Sequence, residues 1–271
     1  MRYKLIAIDI DGTLTNSQKK ITERTKKALI NLQKQGVKVC LASGRPTQGV
    51  SPLADELALK KYGGYILSFN GAYIFECETG KVVYQNVLPK DAPQLICPLA
   101  KENNCEILSY ENDIIITETP KNQYVQIEAG INKMQIKAVP SLMEYINFPV
   151  TKFLILQEGD YLAKVEKRLA DTIGDRYSVY RSEPYFLEIM PLNVDKAYSL
   201  NHLAEYLHIK KNEVAACGDG YNDITMLQYA GLGVAMKNAR DIVKHTADFI
   251  TLSNDEDGIV YAVEKMLAGV I

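Results

Sequence analysis

The sequence has 271 residues, of which 31 are Lys or Arg and 33 are Asp or Glu, so its formal net charge is −2. A nearly neutral chain without a basic run lacks the electrostatic footprint of proteins that bind nucleic acid or anionic membranes. No apolar stretch reaches the roughly 18 residues that a membrane span needs. We therefore expect a globular protein of one large domain or two smaller ones, with no nucleic-acid or membrane partner.

The five cysteines indicate a reducing compartment. Their number is odd, no CxxC pair occurs, and Cys40 and Cys217 lie in apolar runs, where a thiol behaves as a small hydrophobe. The N-terminal segment reaches Asp9 and Asp11 too soon for a signal peptide. We predict reduced thiols, a cytoplasmic location, and a monomer or weak homodimer.

Short apolar runs alternate with helical patterns in the first part of the chain. Strands are predicted at residues 3–10, 37–42 and 65–69, and a helix at 21–35 that Thr22 can cap. Strands separated by helices imply right-handed crossovers and a parallel sheet that is covered on both faces.

The same alternation returns at the C-terminal end of the chain. Strands are predicted at 214–217, 232–236 and 249–252, and helices at 223–230, 239–245 and 258–267. We infer that these elements continue the sheet begun at the N-terminus.

The middle of the chain has a different pattern. Alternating runs at 113–118, 152–157 and 185–190 are mixed with helices near 92–103 and 161–172. We predict an α/β fold in which a doubly wound, mostly parallel, Rossmann-like core domain (1–83 and 190–271) carries an inserted α+β cap domain (84–189).

Four segments with reactive side chains follow predicted strands or begin predicted helices. They are Asp9-Ile10-Asp11-Gly12-Thr13, Ser43-Gly44-Arg45-Pro46, Asp195-Lys196 and Gly218-Asp219-Gly220-Tyr221-Asn222-Asp223. The carboxyl ends of strands are the edge at which open α/β sheets bind ligands. Each segment alone is a weak signal, since such residues also occur in turns and helix caps, but their joint order is much more specific.

The acidic residues of these segments indicate a metal site. Asp9, Asp11, Asp219 and Asp223 could not all stay ionised in one pocket without a cation. Oxygen ligands without His or Cys favour a hard metal, so we predict Mg²⁺ rather than Zn²⁺ as the cofactor.

The other polar groups indicate a phosphate. Lys196, Ser43 and the amide of Gly44 suit a multiply charged anion, and an amide-rich helix start is an anion site. Phosphoryl transfer needs positioning, a metal and donors for the transferring charge. A carboxylate nucleophile divides hydrolysis into two steps through an aspartyl-phosphate, and a second carboxyl can protonate the leaving oxygen and then deprotonate water.

In the same order, the four segments resemble the four motifs of the haloacid dehalogenase-like phosphatases. The large insert resembles the cap of the Cof-type (subclass IIB) sugar phosphatases in its position, size and texture. Asn70-Gly71-Ala72 and Met236-Lys237-Asn238-Ala239 are further similarities. The resemblance spans essentially the whole chain and implies a Mg²⁺-dependent phosphatase that acts on a small phosphorylated metabolite, a sugar phosphate.

The resemblance also implies roles for single residues. Asp9 would be the nucleophile and Asp11 the general acid and base. The metal would be held by the carboxylates of Asp9 and Asp219 and the backbone carbonyl of Asp11, with Asp223 in support, directly or through water. Family members that attack carbon rather than phosphorus lack the carboxylate at the position of Asp11.

Ser43 and Lys196 would hold the phosphoryl group, helped by the Gly44 amide. The predicted substrate- and phosphate-binding set is Thr13, Ser43, Gly44, Arg45, Lys196 and Asn222. For Arg45 two alternatives stay open, since it can touch the substrate or pair with a structural carboxylate.

Two other functions share these features. A phosphomutase uses the same motifs but returns the phosphoryl group to its substrate. A receiver-like signalling module also has a doubly wound sheet, an acidic pocket and a lysine, but it needs only about 120 residues. The insert and the carboxylate of Asp11, which can activate water, argue against the receiver.

The remaining candidates have structural interpretations. His202, His208 and His245 show no ligand spacing, and the first two are placed on the predicted helix that follows the third segment. Glu188 and Asn193, in the last strand of the insert and its linker, are expected to have hinge or structural roles.

Overall fold

A computed structural model describes residues 2–271 of the protein, and its first apolar run forms a fully buried strand inside an eight-stranded sheet. The strands are β1 (Leu5–Asp9), β2 (Lys38–Ala42), β3 (Tyr65–Ser68), β4 (Tyr73–Glu76), β5 (Val82–Gln85), β6 (Glu106–Glu111), β7 (Ile114–Thr117), β8 (Gln135–Ala138), β9 (Phe153–Leu156), β10 (Tyr177–Glu183), β11 (Phe186–Pro191), β12 (Val214–Gly218), β13 (Leu232–Ala235) and β14 (Phe249–Ile250).

The helices are α1 (Glu23–Lys34), α2 (Thr47–Glu56), α3 (Leu59–Tyr62), α4 (Ala92–Glu102), α5 (Gln123–Asn132), α6 (Leu142–Tyr145), α7 (Gly159–Ile173), α8 (Lys196–Tyr206), α9 (Ile224–Tyr229), α10 (Asp241–Thr246) and α11 (Gly258–Leu267). Short 3₁₀ turns lie at Phe69–Gly71, Lys211–Glu213, Tyr221–Asp223 and Asn254–Glu256. As predicted, Thr22 caps α1, and its side chain accepts a hydrogen bond from the backbone of Thr25. The prediction for His208 is wrong, because α8 ends at Tyr206 and His208 takes a positive φ in the following turn.

The chain divides into two compact units. The first comprises Met1–Tyr84 and Asp195–Ile271, and the second comprises Gln85–Val194. An α/β core with an inserted unit that contains its own sheet is therefore confirmed. No helix among the described residues is both long enough and apolar enough to cross a membrane.

The large sheet has the strand order β14-β13-β12-β1-β2-β3-β4-β5. The pairs from β14 to β3 are parallel, and β4 runs antiparallel to β3. The strands β1, β2 and β12 are almost wholly buried and carry much of the hydrophobic core. Buried parallel strands of this kind read as continuous apolar runs, which is why the sequence predicts them well.

The second unit has a six-stranded sheet with the order β10-β11-β9-β6-β7-β8. All its pairs are antiparallel except β7 and β8. Apolar residues of α4 and α7, such as Ile96 and Val165, form one buried cluster with Ile107, Ile155 and Leu187 of the sheet. The unit therefore has a hydrophobic core of its own.

A buried ion pair lies in the second unit. The Lys152 ammonium is 3.1 Å from a Glu188 carboxylate oxygen, and the two side chains are 4% and 5% exposed. The Tyr180 hydroxyl donates to the other Glu188 oxygen at 3.0 Å. Because burying a charge is costly unless it is paired, Glu188 depends on these partners.

Replacing Lys152 alone is expected to destabilise the protein. Lys152→Met leaves the Glu188 carboxylate buried without this ammonium group, so the free energy of unfolding should fall by about 3 kcal/mol. Urea denaturation measures this change. The double variant Lys152→Met/Glu188→Leu removes both charges and should recover most of the loss, whereas a single variant as stable as the parent would show that the pair contributes nothing.

Candidate active site

The parallel strands bring three of the four segments to one edge of the large sheet. Asp9 is in register with Ala42 at the ends of β1 and β2, and Ile8 is in register with Cys217 of β12. The residues that follow these strand ends therefore emerge side by side. The remaining segment, the third, begins α8, where the Asp195 side chain caps the helix by accepting from the Tyr198 amide at 2.7 Å.

Lys196 joins three of the segments. Its ammonium group donates to a carboxylate oxygen of Asp9 and to one of Asp223, both at 2.6 Å, and its side chain is fully buried. Burial alone would lower the pKa of Lys196, but the carboxylates of Asp223 and Asp9 outweigh it and raise that pKa. Lys196 is therefore a charged group held inside the protein by two carboxylates.

Asp223 is fully buried and shapes the turn before it. Its second oxygen accepts the backbone N–H groups of Asp219 and Gly220, at 3.0 and 2.9 Å. Gly218 lies so close that an added Cβ would sit 2.5 Å from the Cβ of Asp223, so a side chain cannot be accommodated there. The Asp223 carboxylate therefore holds the turn at residues 218–220 in its conformation.

The first segment contacts the fourth through Thr13 and Gly12. The Thr13 hydroxyl donates to a carboxylate oxygen of Asp219 at 2.7 Å. Gly12 has a φ of +88°, and a Cβ at this position would lie 2.4 Å from the other Asp219 oxygen. Only glycine meets both demands. In this structure the Thr13 hydroxyl orients Asp219, and its contact with a phosphate stays a prediction.

The acidic cluster suits a divalent cation. Among the described residues, Asp9, Asp219 and Asp223 each offer a carboxylate oxygen, and these atoms lie within 4.8 Å of one another. Burial, and next the Asp223 carboxylate, raise the pKa of Asp9, and burial raises the pKa of Asp219. Three carboxylates against the single charge of Lys196 leave excess negative charge, and an all-oxygen donor set matches a hard cation.

The backbone of the first segment supports the same interpretation. The carbonyl groups of Asp9, Ile10 and Gly12 each accept a hydrogen bond, from Leu14, Thr15 and Asn238 respectively. In the part of the chain that the structure describes, no group donates to the carbonyl of Asp11. That oxygen therefore retains its full capacity to act as a ligand.

The carboxylate of Asp11 is held by two cations. The Arg45 guanidinium donates to both of its oxygens, at 2.9 and 2.6 Å, and the Lys19 ammonium to one at 2.8 Å. Burial raises the pKa of Asp11, but the hydrogen bonds from Arg45 and Lys19 outweigh it and hold that pKa below its ordinary value. Of the two alternatives for Arg45, this structure shows a carboxylate pairing. The sequence did not indicate the contact of Lys19 with Asp11. Lys19 lies in a turn with a φ of 58°, and such a turn has no periodic sequence pattern.

Three phosphate-binding candidates, Ser43, Gly44 and Asn222, lie against the turn at Phe69–Gly71. The sequence identifies Asn70-Gly71 in this turn only as a further similarity to the family. The Ser43 side chain is buried and its oxygen accepts the Arg45 amide at 3.2 Å. The Asn222 side chain is exposed and donates to the Asn70 side-chain carbonyl at 3.1 Å. The Asn70 amide also lies beside Gly44, where a Cβ would be 3.1 Å from its oxygen.

The chain is similar to known proteins over almost its whole length. The family model for haloacid dehalogenase-like hydrolases matches residues 6–263. The 5-amino-6-(5-phospho-D-ribitylamino)uracil phosphatase of Bacillus subtilis (strain 168) is 31% identical over 96% of this chain and 94% of its own. These matches confirm the predicted family, and its phosphatase members favour hydrolysis over the phosphomutase and receiver alternatives.

Solved structures share the fold. A haloacid dehalogenase-like hydrolase from Bacteroides thetaiotaomicron is 46% identical with a TM-score of 0.93, covering 97% of this chain and 99% of that one. A subclass IIB sugar phosphatase of the same superfamily is 27% identical with a TM-score of 0.80, covering 99% and 100%. The likeness includes both units, so the inserted sheet belongs to the shared architecture.

Divalent cations are expected to stabilise the protein through the acidic cluster. A cation that binds the folded chain at 100 times its dissociation constant adds about 2.7 kcal/mol, so MgCl₂ should raise the thermal midpoint of EDTA-treated protein. In Asp219→Asn most of this increase should be lost. Asp241→Asn, whose carboxylate is 90% exposed in α10, is the matched control and should keep it. An equal increase in Asp219→Asn and the parent would contradict the assignment.

Proposed function

The chain belongs to the haloacid dehalogenase-like hydrolases and is a phosphatase of that family, and on this premise we propose that it hydrolyses a sugar phosphate through an aspartyl-phosphate on Asp9, with Mg²⁺ as cofactor. The observation that carries the proposal is the contact of the buried Lys196 with Asp9 and Asp223, at 2.6 Å each, beside Asp219. This arrangement combines a carboxylate, a fixed cation and a cluster of oxygen ligands.

Asp9 is proposed as the nucleophile because of its position and its partner. It ends a buried strand, is only 7% exposed, and has one oxygen bound by Lys196. With that oxygen fixed, the other is directed to attack the phosphorus atom, and the bond to the leaving oxygen breaks as the Asp9–phosphorus bond forms. The Lys196 charge stabilises the negative charge of the transferring group without reorganisation.

Asp11 is proposed to move the protons. In the first step its carboxyl group would protonate the leaving oxygen. In the second its carboxylate would take a proton from the water that attacks the phosphorus atom, while the bond between Asp9 and phosphorus breaks and phosphate leaves. The contacts from Arg45 and Lys19 hold Asp11 ionised, which suits the second step. Protonation for the first step opposes these contacts, so Asp11 must loosen them when the substrate is bound.

The donors around Asp9 are proposed to bind the phosphoryl oxygens. These are the Ser43 hydroxyl, the Gly44 amide and the Asn222 amide, and Thr13 and Arg45 belong to the same set. When bound, Mg²⁺ would neutralise the charge of the phosphoryl oxygens, and its ligands would be the carboxylates of Asp9 and Asp219 and the carbonyl of Asp11, with Asp223 in support. Oxygen-only ligands favour Mg²⁺ among the common divalent metals.

The inserted unit Gln85–Val194 is proposed to act as a lid that selects the substrate. All four motif segments lie in the first unit, so the phosphoryl chemistry does not require residues of the second. Two relatives support a polyhydroxylated leaving group, since one is a sugar phosphatase and the other acts on a phosphorylated ribityl compound. We propose a sugar phosphate for this chain on that basis.

The test of the proposal is phosphate release from a panel of compounds. The panel contains sugar phosphates, ribitol 5-phosphate, nucleotides and p-nitrophenyl phosphate, each with Mg²⁺ present. We expect release from sugar phosphates with the highest kcat/KM. Transfer of the phosphoryl group to another position of the substrate, without release, would favour a mutase.

Asp9→Asn is expected to abolish turnover and leave the fold intact. The substitution keeps the shape of the side chain but removes the nucleophile, and it also reduces repulsion among the carboxylates. Phosphate release and the thermal midpoint are the two measurements, with Asp241→Asn as the control for loss of a carboxylate. Retention of more than about a tenth of the parent activity, a barrier change of only about 1.4 kcal/mol, would remove Asp9 from the nucleophile role.

Asp11→Asn is expected to slow hydrolysis in a way that depends on the leaving group. Loss of a general acid and base lowers kcat by roughly 10²–10⁴-fold for a sugar alkoxide. Transfer from p-nitrophenyl phosphate needs no proton on its leaving oxygen, so its first step, seen as a burst of p-nitrophenol, should persist. Near-normal turnover of a sugar phosphate would contradict the role of Asp11.

A further inference from the structure

The turn at Phe69–Gly71, which follows β3, has an unusual backbone. Its three residues all have positive φ values, 51° for Phe69, 53° for Asn70 and 104° for Gly71. This conformation is unfavourable for a residue with a Cβ, and most of all for a bulky one such as phenylalanine. Such backbone strain persists only where surrounding contacts impose it, and it is concentrated at functional sites.

Contacts with the second segment hold the turn in place. The Phe69 amide donates to the Arg45 carbonyl at 3.0 Å, and the Asn70 amide donates to the Ser43 carbonyl at 2.9 Å. These bonds fix the backbone on both sides of Gly44. The amide of Gly44, a proposed phosphate donor, therefore takes its direction from the turn.

The turn also contacts the third and fourth segments. The Gly71 carbonyl accepts the Ser199 hydroxyl of α8, and a Cβ on Gly71 would lie 2.5 Å from the Asp195 carbonyl. The Asn70 side-chain carbonyl accepts the Asn222 amide at 3.1 Å. One three-residue turn thus contacts the second segment, the helix that the third segment begins, and the fourth segment.

We propose that Asn70 is a positioning residue that aligns the phosphate donors of two motifs. The amide of Asn222 has two N–H donors, and the bond to Asn70 uses one and thereby directs the other. Asparagine suits the position because it tolerates the left-handed conformation better than most residues and supplies the carbonyl acceptor. The inference rests on the proposed phosphate-binding roles of Ser43, Gly44 and Asn222.

The test is a double-mutant cycle on phosphate binding. Asn70→Gly removes the side-chain amide, and glycine adopts a positive φ without steric cost. Asn222→Ala removes the partner of that amide. Calorimetry with inorganic phosphate and Mg²⁺ measures binding without depending on turnover. Asn70→Gly should weaken phosphate binding about tenfold, as expected for one hydrogen bond, with the thermal midpoint unchanged. Because the Asn70 side chain acts through Asn222, and glycine keeps the backbone bond to Ser43, the double variant should bind phosphate within about twofold of Asn222→Ala alone.

A matched control distinguishes the loss of the Asn70 side chain from the effect of placing glycine at a position with positive φ. Asn112 also has a positive φ, 52°, in the turn between β6 and β7, so Asn112→Gly makes the same chemical change outside the motifs. It should bind phosphate like the parent. Unchanged phosphate binding in Asn70→Gly, or losses that multiply in the double variant, would overturn the inference.

The outcomes also distinguish this inference from the proposed function. A parent that binds and releases phosphate, with Asn70→Gly equal to it, refutes only the role of Asn70. A parent that binds no phosphate and releases none from any compound refutes the proposed function and this inference with it.

Discussion

The site depends on one buried charge. Lys196 lies inside the protein because Asp9 and Asp223 both bind its ammonium group at 2.6 Å, and the two carboxylates are tolerated there because Lys196 is between them. The three residues come from the end of β1, the start of α8 and the turn before α9. The charge balance therefore couples three parts of the chain that are distant in sequence. The negative charge that remains is the reason a divalent cation fits the cluster.

A second group of charges lies around Asp11 and is more exposed to solvent than the group around Lys196. Asp11 is partly exposed and has two cationic partners of its own, Arg45 and Lys19. Asp9, in contrast, shares the single buried cation Lys196 with Asp223. Two carboxylates only two residues apart thus have opposite environments. Burial raises the pKa of Asp9, whereas at Asp11 burial is outweighed by the combined hydrogen bonds and charges of Arg45 and Lys19, which lower the pKa. Such divergence suits the two roles proposed above, a nucleophile held close to a fixed cation and a group that exchanges protons with water.

The sequence predicted the strand ends well and the loops poorly, for physical reasons. Parallel strands such as β1 and β12 are buried on both faces, so their apolar runs are evident, and register then determines which residues emerge together. The contact of Lys19 with Asp11 and that of Asn70 with Asn222 depend on turns with positive φ, which leave no periodic pattern. The strand β8, with the sequence QIKA, is short and mostly exposed and was missed for lack of an apolar run.

The division of the chain into two units separates the residues proposed for the chemistry from the unit proposed for substrate selection. Every residue proposed for phosphoryl transfer lies on a strand end, a helix start or a tight turn of the first unit, where neighbouring contacts leave little freedom. The second unit has its own core and its own buried ion pair, so its surface residues can change without disturbing Lys196 and its carboxylates. The proposed separation accounts for relatives with about 30% identity along the whole chain that share one fold while their names give different substrates. Specificity within the family is therefore expected to vary with the inserted unit, and the reaction to vary with the first.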